Sequence, residues 1–189
     1  MLPYRVYLRA ELGKLANVDD AKRLLEHMQA SRRRFSLPSD PAELADRFAS
    51  QELVDAYVAD LGDSALAAVT NLCSRVRGND VARKLDRMRG FELLLVGVEN
   101  VLLSPAELEL HDLFDRHGWQ LASIARDSEF LTAASYRHHH EREEIRFRWC
   151  LAEPWPDRSG MYRIFDGMHR AIQMVRNGET QIPLCAIHR

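Results

Sequence analysis

The stretch that decides how the second half of the chain folds is YRIFDGMHRAI, residues 162–172. Residues 161–165 predict a strand, and Asp166-Gly167 predicts a turn. Residues 168–176 predict a short helix that ends at Asn177-Gly178, and residues 182–187 predict a returning strand. A strand, helix, strand unit of this kind needs a parallel or mixed sheet to receive it.

The turn at residues 166–170 has the residue types of an anion-binding site. At a passage from strand to helix, the first N–H groups of the helix lack partners within it and lie at the positive end of its dipole. Gly167 has no Cβ to block a ligand, His169 can exchange a proton, and Arg170 can donate to phosphate oxygens. Asp166 can cap the helix, hold His169 or hold a metal. The alternative is an ordinary Asp-Gly turn with a helix cap and two surface side chains.

Residues 162–172, together with Gly178 and the IPL at 182–184, resemble the phosphate-binding core of the ParB/sulfiredoxin-like superfamily. In that superfamily a strand leads into an acidic or glycine-containing turn that ends in His-Arg or Arg-Arg. A short helix follows, and Ile-Pro or Val-Pro introduces the next strand. More weakly, the strand around residues 93–103 and the helix after Ser104 resemble the opening of the same fold. The resemblance covers the C-terminal part of the chain only.

The resemblance implies a nucleotide site that takes ATP or CTP, as members of this superfamily do. The nucleotide-binding residues would be Gly167, Met168, His169 and Arg170, and the catalytic residues Asp166, His169 and Arg170. Mg²⁺ would accompany the nucleotide, as nucleotide chemistry generally requires. The implied activity is phosphoryl transfer or nucleotide hydrolysis on a small substrate, because the Asp-Gly-x-His-Arg pattern resembles the free serine kinases of the superfamily.

Two other activities of the superfamily are not expected here. Sulfiredoxins have a nucleophilic cysteine directly before His-Arg, whereas this chain has Met168, and a thioether cannot form the required thiolate. Partition proteins continue into a DNA-binding helix-turn-helix, whereas this sequence ends at Arg189, directly after the returning strand. We therefore expect neither sulfinic-acid reduction nor a role in chromosome or plasmid segregation.

A kinase-like reaction also needs a base for the attacking hydroxyl and positive charge for the phosphates. Glu99, Glu107 and Glu143 are candidate bases, and the sequence does not choose among them. No lysine occurs after residue 90, and the P-loop and dinucleotide-binding glycine motifs are both absent. Arginine would therefore supply the positive charge.

Three further groups have both a functional and a structural interpretation. The run HHHE at residues 138–141 could hold a metal together with Glu143 or Glu144, or hang over a nucleotide, but a solvated polar stretch is the simpler interpretation. Three arginines at 32–34 could contact nucleic acid. The simpler interpretation is that they follow a helix end, where positive charge interacts favourably with the helix dipole. Three aromatic residues could stack on a base, although packing in a core or loop is the simpler interpretation. They are Trp149, Trp155 and Tyr162.

Composition and periodicity predict an α+β protein. The chain has 189 residues, 46% of them hydrophobic, and 26 basic against 28 acidic residues. Apolar spacing and capping residues predict a helical region at residues 1–90, in which Val18 lies on an apolar stripe, a helix begins at an Asp40 cap with Leu44 and Phe48 facing inward, and a later helix ends at Gly78. They also predict a second domain of small mixed-sheet type at 91–189, with a capping box at residues 104–107, a strand at residues 145–151 and a loop at residues 153–160. The near balance of charge makes nucleic acid a less favoured partner. Three scattered cysteines and the lack of a long apolar run predict a cytoplasmic protein without a membrane partner, and oligomeric state is left open.

A second hypothesis comes from a different functional class. The same fold can serve as a non-enzymatic regulatory module that associates with DNA or docks a protein through its helical region. That hypothesis expects an exposed apolar stripe on the N-terminal helices and binding without turnover.

Overall fold

Local capping chemistry sets the boundaries of the helices. In this computed structural model, which describes residues 2–30, 37–104, 111–127 and 147–189, the fold is α+β, with N-terminal helices and a mixed sheet. The described helices are α1 (Leu2–Leu12), α2 (Val18–Ala30), α3 (Pro41–Arg47), α4 (Gln51–Asp60), α5 (Asp63–Arg77), α6 (Val81–Asp86), α7 (His111–Arg116), α8 (Leu121–Ile124) and α9 (Met168–Arg176). The strands are β1 (Gly90–Gly97), β2 (Val101–Leu103), β3 (Cys150–Pro154), β4 (Tyr162–Asp166) and β5 (Gln181–His188).

The predicted caps of the N-terminal helices are confirmed. Asp40 Oδ1 accepts hydrogen bonds from the backbone N–H groups of Ala42 and Glu43, at 2.9 and 3.0 Å, and so begins α3. Gly78 adopts φ +64° and ends α5. The chain divides into two compact units, Met1–Arg87 and Met88–Arg189, so the first unit ends at Arg87 rather than at residue 90.

The first unit packs helices α1 to α6 around aromatic and aliphatic side chains. Tyr7, Phe48 and Leu44 are fully buried, as the spacing of apolar residues predicts for Leu44 and Phe48. Val18, predicted to lie on the apolar stripe of α2, is instead exposed. It is the first residue of α2, where the chain has only just entered the helix and its side chain is not yet directed into the packed face. No helix among the described residues is long and apolar enough to cross a membrane.

The first unit also buries a charge. Glu11 is 4% exposed and forms ion pairs with Lys14 and, at 2.7 Å, with Nε of Arg77. Burial alone would raise the pKa of this carboxyl, but the two cations outweigh it, and the pKa lies below its ordinary value of 4.5. These ion pairs therefore stabilise the folded state at pH values above 4.5, and this stabilisation is lost as the pH falls below 4.5.

The second unit is built on a five-stranded mixed sheet with the strand order β1-β5-β3-β4-β2. Strand β5 lies between an antiparallel β1 and a parallel β3, and β4 lies between an antiparallel β3 and a parallel β2. The unit β4-α9-β5 passes over β3, so the predicted mixed sheet is confirmed. Helices α8 and α9 take part in a core that includes Ile124, Ile172 and Leu184.

The predicted strand at residues 145–151 is only partly correct. Pairing begins at Cys150, whereas residues 147–149 are not in a strand, and residues 145 and 146 lie outside the described residues. Strand β3 continues through Glu153 and Pro154, which were predicted to be loop. The alternation that suggested an earlier strand fails because Cys150, Leu151 and Ala152 are all buried, as in a strand covered on both faces.

The predicted capping box at residues 104–107 has three of its four residues outside the described part of the chain. The helix predicted after it is seen from His111 onward as α7, with Leu113 and Phe114 buried. The chain then turns through Trp119, a non-glycine residue with φ +65°, whose carbonyl accepts the N–H of Leu103 at 2.8 Å.

We expect Arg77→Ala to lower the free energy of unfolding of the first unit by about 3 kcal/mol, because it leaves a buried carboxylate with only Lys14. The matched control is Arg83→Ala, whose pair with Asp80 is exposed and should contribute less than about 1 kcal/mol. Urea unfolding followed by far-ultraviolet circular dichroism measures both, since every tryptophan lies after residue 90 and fluorescence would miss the first unit. Equal losses in the two variants would contradict this account of Glu11.

Candidate functional site

The turn between β4 and α9 is built on a left-handed glycine. Strand β4 ends at Asp166, Gly167 adopts φ +92°, and α9 begins at Met168. The Gly167 carbonyl accepts the first helical hydrogen bond, from the N–H of Ala171 at 3.0 Å. The carboxylate of Asp166 bonds to Arg170 and not to a backbone N–H of the helix, so of the roles considered for Asp166, that of helix cap is excluded. The start of α9 therefore keeps its positive dipole end without a cap from Asp166.

Two acceptors in the described part of the chain hold Arg170 beside this helix end. Its Nη2 donates to Asp166 Oδ2 and to the carbonyl of Trp149, each at 3.1 Å. The side chains of Arg170 and Asp166 are 17% and 11% exposed. The arginine predicted to bind phosphate is thus present at the turn and partly accessible, but its charge is balanced by Asp166.

The missing Cβ of Gly167 has a different use from the one predicted. A Cβ at this position would lie 2.5 Å from Arg170 Nη2 and 2.9 Å from Cys150 Sγ. The space reserved by the glycine is therefore filled by the chain's own guanidinium and thiol rather than left open to a ligand. Gly167 allows Arg170 to fold back over the start of α9.

The buried side chain of Cys150 packs against the turn at Gly167. Its Sγ donates to the Gly167 carbonyl at 3.3 Å, and the residue is fully buried. Burial raises the pKa of this thiol to about 11, and the nearby Arg170 opposes this only in part. A group that stays a thiol at neutral pH is a poor nucleophile.

Of the other predicted residues, His169 and Met168 lie at the turn with Arg170, whereas Glu99 lies in a different segment. His169 is half-buried in the first turn of α9, and Met168 packs partly against the core. Glu99 is exposed in the short 3₁₀ turn Val98–Asn100 after β1, with its carboxylate folded against Gly97. Glu107, Glu143, His138–His140 with Glu141 and Glu144, and Arg32–Arg34 lie outside the described residues.

The three predicted aromatic residues have separate roles. Trp155 stacks under the guanidinium of Arg163, which lies 4.8 Å from the ring centroid. Tyr162 is partly buried against the core, and Trp149 contributes its carbonyl to Arg170. Within the described ranges, no group of three or more histidine, cysteine or acidic side chains is arranged to hold a metal ion.

A groove of about 530 Å³ shares one residue with the contacts of the turn and was not predicted from the sequence. Trp149 is common to the two, because it lines the groove and also binds Arg170 through its carbonyl. Arg148 and Glu179 form an ion pair in the groove wall. The remaining lining residues are Leu95, Gly178, Thr180, Gln181 and Pro183. These residues come from three separate segments, and only the sheet pairing of β1, β5 and β3 brings them together.

Comparison of the chain with protein-family models, with curated proteins and with solved structures returned no match.

We expect Gly167→Ala to destabilise the second unit by about 2 to 4 kcal/mol, because it combines left-handed strain with displacement of Arg170 and Cys150. Gly178→Ala is the matched control, since Gly178 has a similar φ of +87° but open space at its Cβ position. It should cost only about 1 kcal/mol. Tryptophan fluorescence during urea unfolding measures both, and equal losses would show that the crowding at Gly167 is unimportant.

We expect none of the three cysteines to react in the folded protein. Burial raises the pKa of Cys73 to about 12 and those of Cys150 and Cys185 to about 11, so the thiolate is scarce at pH 8. A colorimetric disulfide reagent at pH 8 should give a rapid three-thiol reaction only after unfolding. Rapid reaction of any one thiol in the native protein would contradict the packing described here.

Proposed function

We propose that the protein binds a nucleotide, ATP or CTP, with its phosphates at the start of α9, and catalyses phosphoryl transfer to a small substrate or hydrolysis of the nucleotide. The observation that supports this proposal best is a helix that begins directly at the end of β4 without a cap from Asp166, with His169 and Arg170 in its first turn. Backbone N–H groups and a guanidinium directed at one point are the groups that bind phosphate oxygens.

Phosphate would have to compete with Asp166 for Arg170. In the free protein Asp166 neutralises the guanidinium, so the site does not hold an uncompensated buried charge. A triphosphate brings more negative charge than one carboxylate and can also accept from the helix N–H groups. Binding would therefore release Asp166 from Arg170 and leave a carboxylate next to the phosphates.

That released carboxylate gives Asp166 a catalytic role in the proposal. Asp166 could accept the proton of the attacking hydroxyl, Arg170 would neutralise charge on the transferred phosphoryl group, and His169 could exchange a proton with substrate or product. Glu99 is the one candidate base among the glutamates predicted from the sequence that lies within the described residues, on the turn after β1.

The ion pair between Arg170 and Asp166 also limits how well the proposed site fits Mg²⁺. Mg²⁺ in nucleotide sites is bound mainly by phosphate oxygens and water, with one or two protein carboxylates. Asp166 fits that requirement only after it releases Arg170, and the described residues offer no larger set of ligands. When bound, the cation would neutralise phosphate charge.

The groove that Trp149 lines has a size suited to the rest of a nucleotide. About 530 Å³ lies within the range of small-molecule sites, and an aromatic residue, Trp149, lines it beside polar groups. We propose that the base and sugar occupy this groove while the phosphates reach the start of α9. A cytoplasmic location is part of the proposal, since the three cysteines are free thiols.

A docking function is the second candidate, and one observation favours it. On the described N-terminal helices the exposed large apolar side chains are two single residues, Val18 on α2 and Leu53 on α4, rather than a stripe. An exposed apolar stripe occurs instead on β1, at Phe91, Leu93 and Leu95. If this stripe were the principal functional surface, the protein would bind a macromolecule without turning over a nucleotide.

Calorimetric titration with ATP and CTP, with and without Mg²⁺, tests nucleotide binding. We expect Arg170→Ala to weaken binding by about 10- to 100-fold, because a charge-assisted hydrogen bond to phosphate is lost. We expect Asp166→Asn to tighten binding, because it removes the competing carboxylate, and to lower phosphate release. Arg158→Ala, in the exposed loop at the other end of β3 and β4 from the turn, is the control and should bind like the wild type.

The variants distinguish a failed site from a failed fold. Circular dichroism and tryptophan fluorescence must show that Arg170→Ala is folded, and Asp166→Asn keeps a side chain of the same size beside Arg170. No binding by the wild type, or equal affinity in the wild type and both site variants, would contradict the proposal. Nucleotide binding without phosphate release, together with capture of DNA or a protein, would favour the docking function instead.

A further inference from the structure

The apolar stripe on β1, defined by Phe91, Leu93 and Leu95, extends beyond the proposed nucleotide site, which includes only Leu95 of the three. These side chains are 40%, 46% and 65% exposed, although each is large and apolar. They alternate along the strand and therefore share one face of the sheet. Leu94 and Val96 face the other way and belong to the core that α8 and α9 help to form. Burial of the stripe by another surface would remove three large apolar side chains from water.

Strand β1 is also the last strand at one side of the sheet. In the described part of the chain it pairs with β5 and with no other strand. The N–H of Val98 donates to the carbonyl of Thr180 at 3.1 Å, which continues the register in which Gly97 lies opposite Gln181. Since hydrogen-bonded pairs alternate in an antiparallel ladder, the even-numbered residues of β1 bond to β5. The backbone groups of Phe91, Leu93 and Leu95 therefore point to the outer edge.

This edge lacks the features that usually prevent strand pairing. Strand β1 is eight residues long and contains no proline, no lysine and no bulge in its register with β5. Its one charged residue, Glu92, points to the face opposite the stripe and pairs with His188 at 2.6 Å. A long apolar edge of this kind is a template for a further strand.

We propose that the occupant is a second copy of this chain, joined by antiparallel pairing of β1 with β1 about a two-fold axis through Leu93. A two-fold axis that relates antiparallel strands is perpendicular to the sheet, so residues opposite each other share a face. An axis at Leu93 places Phe91 opposite Leu95 of the second copy and the two Leu93 residues opposite each other. All six side chains of the two stripes are then in contact, in one continuous sheet.

Neighbouring registers fit less well. An axis at Glu92 would place two carboxylates opposite each other, which is unfavourable. An axis at Leu94 would place Phe91 opposite Gly97, which offers no side chain to cover it. The axis at Leu93 avoids both faults.

Charge complementarity supports the same register. With the axis at Leu93, Arg89 lies opposite Gly97 of the second copy. The carboxylate of Glu99 folds directly over Gly97, since an added Cβ there would lie within 3 Å of all three of its carboxylate atoms. Arg89 directly precedes β1 and Glu99 follows it, so antiparallel pairing brings the arginine of one copy and the carboxylate of the other to the same end of the interface. Arg89 and Glu99 are both exposed, and neither has an ion-pair partner within the described ranges. The two-fold axis would form the pair twice, once at each end of the stripe.

Sedimentation equilibrium of the full chain tests this interface. We expect the wild type to be a dimer at micromolar concentration and Leu93→Glu to raise its Kd on the order of a hundredfold, because two carboxylates would meet at the axis. The control is Leu53→Glu, at an apolar residue of nearly equal exposure, 48%, in the first unit. It should leave the Kd unchanged.

Charge reversal tests the register. Arg89→Glu and Glu99→Arg should each raise the Kd by about tenfold, and the double variant should restore it. Hydrogen exchange should protect the amides of Phe91, Leu93 and Leu95 in proportion to the dimer fraction. The proposal is overturned by a wild type that stays monomeric at its highest soluble concentration, or by a dimer insensitive to Leu93→Glu. It is equally overturned if the double reversal fails to restore the dimer. Protection of these amides in the monomer would assign the edge to another part of the same chain and would also overturn it.

Discussion

The fold of the C-terminal unit around its turn depends on two hydrogen bonds of Arg170, one to Asp166 and one to the Trp149 carbonyl. Through them, one guanidinium connects the end of β4, the first turn of α9 and the segment that enters β3. Gly167 is required because only a residue without a Cβ leaves room for that guanidinium beside Cys150. Under the proposed function, an anion would use Arg170 only by displacing Asp166. The structural ion pair and the proposed phosphate site would then be alternative states of one cluster.

Much of the fold could be predicted from local sequence, because its signals are local. Asp40 before Pro41 predicts a helix start, and the turn at Gly167 follows from an Asp-Gly pair between a strand and an amphipathic helix. The start of β3 could not be predicted in this way. Alternation at residues 145–151 suggested a half-exposed strand, whereas Cys150, Leu151 and Ala152 are all buried because β3 lies between β5 and β4. Strand order is a long-range property that periodicity does not contain.

The sequence predicted which residues form the candidate site, but it did not predict the contacts that these residues make. The sequence placed Asp166, Gly167, His169 and Arg170 at one turn, and the structure places them there. It did not reveal that Arg170 folds back over Gly167, because that position depends on Cys150 and Trp149, which are distant in sequence. Nor did it reveal the groove or the exposed edge of β1. Both depend on β1 being the outer neighbour of β5, and Leu95 belongs to both surfaces. In the proposed dimer, Phe91 of the second copy would lie beside Leu95 and extend the wall of the groove.

The most direct test of the phosphate site is a titration of ¹⁵N-labelled protein with ATP or CTP, followed by the backbone amide resonances at residues 167–170. We expect saturable shifts at the Gly167 and His169 amides and at the Arg170 side-chain Nε–H, together with a shift of the Asp166 carboxyl carbon as it leaves the guanidinium. Shifts confined to residues remote from the turn, or none at saturating nucleotide, would contradict the proposed phosphate site.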